Sequence, residues 1–320
     1  GCGRISIPPV FLSAPSLIPA ATPVLLPAAI QGIPAAEEAL IAFWAPVGPN
    51  AQLFLYDDLK KEVFALPGAG KGINSASLYL PGQYLFVRDG QLFLYEASGE
   101  RVCLLAPTLS LVGFAFSPVP DLFGNVYFLG TDLPEEALLG IGKLYVTSAL
   151  KPLVPDPPKL LEPGAILELG KVNSLEEGGI RSFKVTLDSS KLVFTTAEGG
   201  LYLYTPLKPS LQRLPIGGRK AAIASIDPIW GRYVVWKESK SNRLFSLDLT
   251  TRCLEPLSFA EQAESFVDIA ALGFLGTDPW HIFFVGMLAS PIRFRIFSYD
   301  LRDGKVRNYS TIGDIPAEIP

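Results

Sequence analysis

Short aromatic and aliphatic runs, each closed by a polar residue and a turn, recur along the whole chain. Leu53-Phe54-Leu55-Tyr56, Leu92-Phe93-Leu94-Tyr95, Leu201-Tyr202-Leu203-Tyr204, Leu244-Phe245-Ser246-Leu247 and Arg295-Ile296-Phe297-Ser298-Tyr299 follow one plan, with Leu144-Tyr145-Val146 as a shorter copy. The period is two, that of a strand with two packed faces, and each run is bounded by Gly, Pro, Asp or Asn. Around each run further strands are predicted. The clearest set is Ala221–Ile226, Arg232–Trp236, Leu244–Asp248 and Cys253–Leu257. A second runs through Ser75–Leu80, Tyr84–Arg88, Gln91–Tyr95 and Val102–Leu105, with Asp89-Gly90 as a hairpin turn.

The same order can be written six times within residues 28–312. The third unit takes Val112–Phe116, a Ser117–Asp121 turn, Asn125–Leu129, Lys143–Thr147 and Ala165–Leu169, with a Pro-rich insertion at Lys151–Pro163. The fourth takes Phe183–Leu187, Lys191–Thr195, Leu201–Tyr204 and Gln212–Leu214. The sixth takes Val267–Leu272, His281–Val285, Arg293–Tyr299 and Val306–Tyr309. The first begins at Ala28–Ile33 and continues through Leu40–Trp44, Leu53–Tyr56 and Val63–Leu66. A four-stranded sheet cannot bury two apolar faces alone, whereas sheets packed radially bury both and leave only short edges. The prediction is an all-β, six-bladed β-propeller over residues 28–320, with five or seven blades if a unit has been split or merged.

The turns Ser117-Pro118-Val119-Pro120-Asp121 and Asp227-Pro228 resemble the Ser/Asp-Pro-Asp-Gly turn of TolB-type and WD40-like propellers. The resemblance spans most of residues 28–312, on short motifs. The Gly-His and Trp-Asp signatures of WD40 repeats are absent. What is implied is a TolB-type propeller domain alone, without the Pal and colicin partners of TolB.

Residues 1–27 read differently. From Ile5 to Ala36 there is no charge, yet Pro8, Pro9, Pro15, Pro19, Pro23, Pro27 and Pro34 interrupt the stretch. An interior Pro costs a helix about 3 kcal/mol, so an extended segment is expected rather than a membrane helix. Gly1-Cys2 resembles the junction at which a bacterial lipoprotein is cut and lipidated, so Cys2 is the candidate lipid attachment site. The rival reading of Gly1-Cys2-Gly3 is an expression-tag remnant with an incidental Cys. The lipidated reading places the protein in the bacterial cell envelope, on a periplasmic or extracellular face, with residues 1–27 as tether.

Composition narrows the function classes. Charged residues make up 18% of the chain and the net charge is −4, without a run of Lys or Arg, so nucleic acid is not an expected partner. One His and one Met leave few soft or imidazole ligands. His281 opens a strand with no nucleophile pattern near it, and no Gly-x-Ser-x-Gly elbow occurs. Gly68–Gly72 and Gly217–Lys220 lack phosphate-loop spacing. Cys103 and Cys253 hold the same outer-strand place in units two and five, too far apart to bond, and are expected as buried free thiols. First strands line a propeller's axis, which makes Gln31, Ser75, Ser77, Arg181, Lys184, Ser225 and Asp268 the channel-lining candidates. Glu135-Glu136 and Glu176-Glu177 are acidic pairs suited to Ca²⁺ or a basic partner, or simply to solvent.

No cofactor and no metal site are expected. The favoured reading is a non-catalytic, membrane-tethered scaffold that binds another envelope or membrane protein through loops such as 130–142 and 149–164. The alternatives are a propeller-type small-molecule hydrolase of the lactonase or esterase kind, and a sugar- or peptide-binding protein.

Overall fold

The computed structural model describes residues 40–47, 50–57, 62–65, 73–80, 83–99, 101–106, 112–151, 161–162, 164–206, 208–227, 231–241, 243–257, 265–271, 281–289, 292–300, 306–308 and 315–316, with side chains only within 73–257. These residues form six antiparallel sheets in chain order, each a meander in which successive strands pair. Sheet 1 holds β1 (Leu40–Val47), β2 (Asn50–Asp57) and β3 (Glu62–Ala65). Sheet 2 holds β4 (Ile73–Leu80), β5 (Gln83–Arg88), β6 (Gln91–Glu96) and β7 (Arg101–Ala106). Sheet 3 holds β8 (Phe114–Pro120), β9 (Val126–Thr131), β10 (Lys143–Thr147) and β11 (Ile166–Glu168). Sheet 4 holds β12 (Ile180–Val185), β13 (Leu192–Thr196), β14 (Leu201–Thr205) and β15 (Ser210–Arg213). Sheet 5 holds β16 (Ala221–Ile226), β17 (Tyr233–Glu238), β18 (Leu244–Asp248) and β19 (Leu254–Leu257). Sheet 6 holds β20 (Ser265–Ala271), β21 (His281–Ala289), β22 (Ile292–Asp300) and β23 (Val306–Asn308), and β24 (Ile315–Pro316) pairs with the start of β22.

Each unit written from the sequence corresponds to one sheet, with ends moved by a few residues. The expected strand Ala28–Ile33 lies outside the described residues. First strands touch in sequence, β1 to β4, β4 to β8, β8 to β12, β12 to β16 and β16 to β20, as radial packing requires.

The repeated aromatic run has a definite job. At one register position of every sheet two aromatic residues face each other, on the second and third strands of sheets 2 to 6 and on β1 and β2 of sheet 1: Phe43 and Phe54, Phe86 and Phe93, Phe128 and Tyr145, Phe194 and Tyr202, Trp236 and Phe245, Phe284 and Phe297. Where side chains are described, the rings stack with centroids 5.3, 5.6, 5.3 and 4.7 Å apart in sheets 2 to 5. Such pairs add about 0.5–1.5 kcal/mol beyond the burial of their area. Alternation then divides the cores. Phe128 faces sheet 2, whereas Tyr127 and Leu129 face sheet 4. Phe194 and Leu192 likewise face sheet 3, and Val193 faces sheet 5.

First strands carry a repeated irregularity. One extra residue stands between paired neighbours, Asn74 in β4, Arg181 in β12, Ala222 in β16 and Val267 in β20, at the same distance from the aromatic pair. Each is a bulge, which increases local twist.

The expected turn at Ser117–Asp121 is corrected. β8 runs on to Pro120 through a register shift between Phe116 and Val119, with Ser117 at φ 52°, and the turn begins at Asp121. Pro118 and Pro120 suggested a break, but prolines are tolerated at irregular strand positions. The buried Asp121 carboxylate accepts from the backbone N–H groups of Phe123 (2.8 Å) and Asn125 (2.9 Å), from Asn125 Nδ2 (2.7 Å) and from Ser189 Oγ of the neighbouring sheet. Asp227 organises the equivalent turn of sheet 5 by accepting from the N–H groups of Gly231, Arg232 and Tyr233.

Candidate interaction site

In an antiparallel meander the turns between strands one and two, and between three and four, fall at one end of every sheet. The loops between strands two and three, and the links to the next sheet, fall at the other. Two clefts open at this second end, one between sheets 3 and 4 and one between sheets 4 and 5.

The loop between β9 and β10 there is partly helical, Pro134–Leu139. Six residues do not hold a helix by propensity alone, so the ends must do it. Pro134 presets the first turn, and Glu135 and Glu136 complement its dipole. Thr131 Oγ1 accepts from Leu133 N–H (3.2 Å) and donates to Glu136 Oε2 (2.6 Å). Gly140 closes the helix in the left-handed region (φ 64°), where its N–H reaches Ala137 O and that of Ile141 reaches Glu136 O. None of the six residues is buried, and Leu138 is 78% exposed, with Leu133, Leu139 and Phe114 of β8 also exposed.

Beside this helix a cleft of about 190 Å³ opens between sheets 3 and 4, walled by Ile141, Val172, Leu175 and Ile180 with Glu136 and Thr196 at its edge. Gly142 and Ile180 exchange backbone hydrogen bonds (2.9 and 2.8 Å) and so join the two sheets. Glycine is needed on both sides: a Cβ on Gly142 would lie 2.8 Å from Gly130 O of its own sheet, and one on Gly179, whose φ is 86°, 2.8 Å from Ile141 Cγ2 across the seam.

The Glu177 carboxylate ties this edge together. It accepts from Thr196 Oγ1 (2.7 Å) and the Tyr202 hydroxyl (2.5 Å), and Arg213 lies 3.5 Å away. Burial works against its charge, but those hydrogen bonds and the cations Arg213 and Lys220 hold it below the usual carboxylate range. The Tyr202 hydroxyl is pushed up to about 12, by burial and then by Glu177. A larger cleft, about 450 Å³, follows between sheets 4 and 5 and is lined by Arg213, Arg219, Lys220, Glu198 and the Gly217-Gly218 turn.

The channel-lining candidates sort by register. Ser75 of β4 and Asp268 of β20 share one level, and Ser77 of β4, Lys184 of β12 and Ser225 of β16 share the next. Ser75, Ser77, Lys184 and Ser225 are buried, and Ser75 Oγ accepts from Ser117 N–H (3.1 Å), which the irregular β8 leaves outside its own ladder. Arg181 is the extra residue of β12, half-buried. Asp268 and His281 are placed by backbone only, and Gln31 and Cys2 lie outside the described residues. Among the described residues no three His, Cys, Asp or Glu side chains gather as a metal-binding group.

The expectation of buried thiols is corrected. Both Cys103 and Cys253 are free, but Cys103 is half-buried and Cys253 exposed, its thiol 3.4 Å from Glu255 Oε1. Outer strands have no sheet beyond them to cover one face. The helix at Pro134–Leu139 stands where the strand period predicts a loop, and Pro134-Glu135-Glu136 and Gly140 are its start and stop signals.

No protein-family model matches the chain, and no curated protein matches it in sequence. Solved structures do. A protein assigned as TolB from Agrobacterium tumefaciens superposes with a TM-score of 0.59 at 9% identity, over 86% of this chain and 89% of that one. A chain of a nidogen/laminin complex gives 0.56 at 10% identity over 84% and 91%, and an oligogalacturonate lyase in complex with manganese 0.53 at 12% over 84% and 73%. At such identities the likeness is one of fold. No helix among the described residues is long and apolar enough to cross a membrane. With its meander sheets packed in series through their first strands, the chain is a β-propeller of TolB-like fold.

Proposed function

We propose that this protein is a non-catalytic propeller of the bacterial cell envelope that holds another protein, tethered to the membrane by a lipid on Cys2. The observation that carries the interaction reading is the Pro134–Leu139 helix: started by Pro134, braced by the Thr131–Glu136 hydrogen bond and closed at Gly140, yet presenting Leu138 and Leu139 to solvent with no residue buried. Exposed apolar side chains grouped on an ordered element mark a contact surface. That the same fold occurs in a nidogen/laminin assembly agrees with this use. The envelope part rests on Gly1-Cys2 and on the uncharged, Pro-rich stretch that follows.

A photo-crosslinking amino acid at position 138 tests the contact. One discrete protein adduct is expected from position 138 in cells, and none from position 104, an exposed site on the outermost strand of sheet 2. No adduct at 138 would remove the interaction reading. For the tether, Cys2→Ser should move the protein from the membrane to the soluble fraction, and unchanged fractionation would remove the lipid.

A further inference from the structure

We propose that the cleft between sheets 3 and 4, together with the leucine helix beside it, docks a segment of the partner protein that carries one large apolar side chain flanked by Lys or Arg. The inference rests on the interaction reading above and names the chemistry of what is bound.

Shape comes first. The cleft is about 190 Å³, room for one aromatic or leucyl side chain and little more, and its walls are Ile141, Val172, Leu175 and Ile180. It is preformed, because the Gly142–Ile180 hydrogen bonds join the two sheets and the Thr131–Glu136 hydrogen bond and the Gly140 turn hold the helix. Leu138 and Leu139 stand exposed on the helix whose Glu136 borders the opening, Leu139 one turn on from Glu136. A single anchor in a small pocket, with apolar contact around it, is how short segments gain affinity.

Charge then selects the partner. Glu135-Glu136 and Glu176-Glu177 lie on loops of different sheets, and the fold brings both to this one opening: Glu136 lines the cleft, and Glu177 bonds Thr196, which also lines it. Glu136 and Glu177 are turned onto the hydroxyls of Thr131 and of Thr196 and Tyr202, so they serve the local structure. Asp132, Glu135 and Glu176 are exposed and enter no ion pair among the described residues. Of the cations nearby, Lys143 lines the cleft and pairs with Glu168 (3.5 Å), while Lys171 donates to Pro209 O (2.7 Å) and keeps its charge, so Asp132, Glu135, Glu136, Glu176 and Glu177 outnumber the cations that face them. The rim is left with excess negative charge, which steers and retains a basic segment. The larger cleft carries no such bias. Its Arg213, Arg219 and Lys220 stand 3.5, 3.7 and 3.6 Å from Glu177, Glu238 and Glu198.

The test is an array of immobilised 11-residue peptides with Trp, Phe, Leu or Ala at the centre and Lys or Glu on the flanks, probed with the full chain. Lys-flanked peptides with an apolar centre should bind at least about tenfold more tightly than Glu-flanked or Ala-centred ones, and the preference should shrink in high salt. The double variant Glu135→Lys, Glu176→Lys should lose the preference for Lys flanks or reverse it, and Leu138→Glu should abolish binding. All three residues are exposed, so the variants should melt with the wild type. Binding indifferent to flank charge, or unchanged in the variants, overturns the inference. So does a concentration-dependent dimer that Leu138→Glu abolishes, since a second copy would then be the occupant. If the adduct formed at position 138 persists in the Glu135→Lys, Glu176→Lys variant while the array shows no charge preference, the basic-segment inference fails and the interaction reading stands.

Discussion

Asp121 is a carboxylate out of reach of water, and four hydrogen bonds support its charge. Desolvation nevertheless outweighs them, and its pKa stands above the ordinary carboxylate value. The folded protein therefore holds this proton more tightly than the unfolded chain does. By linkage the group's contribution to stability is greatest at low pH and falls as pH rises from the ordinary carboxylate pKa through the folded one. Asp121→Asn keeps the shape and removes the titration, so the stability gap between wild type and variant should narrow between pH 4 and pH 7. Denaturant midpoints at the two pH values measure this, and a constant gap would remove the account. Asp121→Ala leaves the Phe123 and Asn125 donors without their acceptor and should cost about 2–4 kcal/mol at pH 4, with a gap that narrows by the same amount as for Asn towards pH 7.

At the scale of the element, the stacked pair on the second and third strands explains why the repeat is visible at all. Trp236 takes the place held by Phe86, Phe128 and Phe194, and is fully buried. Its indole Nε1 has no hydrogen-bond partner among the described residues. Trp236→Phe opens a small cavity but removes that orphaned donor, so the two terms should cancel to within about 1 kcal/mol. Trp236→Ala should cost about 3–5 kcal/mol, and thermal or chemical unfolding of the pair of variants separates the cases. The same pair shows how far the sequence could be read. The strands of sheets 2 to 5 were legible because each buries two faces and repeats one aromatic position, and sheet 6 repeats that position in its register. The outer strands were less so: Cys253 lies where only one face is covered, and nothing in its neighbours says which. The Pro134–Leu139 helix is written locally in its Pro, Glu and Gly, but it interrupts the strand period, so the repeat pattern predicts a loop there. The meeting of Glu135-Glu136 with Glu176-Glu177 was not legible. It follows from which loops two adjacent sheets send to the same end, a property of the packed molecule.

For the molecule as a whole, sheets contact their neighbours in chain order and polar residues fasten the seams. Ser189 Oγ bonds Asp121 between sheets 3 and 4, Lys191 Nζ donates to Gly231 O between sheets 4 and 5 (2.7 Å), and Thr195 Oγ1 donates to Ala222 O (3.0 Å) at the same seam. Ala222 is also the extra residue of β16. Replacing it by Ser leaves the backbone path intact and should change stability by no more than about 0.5 kcal/mol. Removing it slips the rest of the strand by one place and turns Ala224 and Ile226 away from the core they share with Trp236, at a cost on the order of 4 kcal/mol. Unfolding of the Ser variant beside the deletion variant decides the point, and equal stabilities would mean that the irregularity is incidental. The bulges thus act as punctuation rather than vocabulary. A library that scans letters at these four positions would find them permissive, and only one that scans spacing would find the grammar that keeps inner and outer faces in step around the axis.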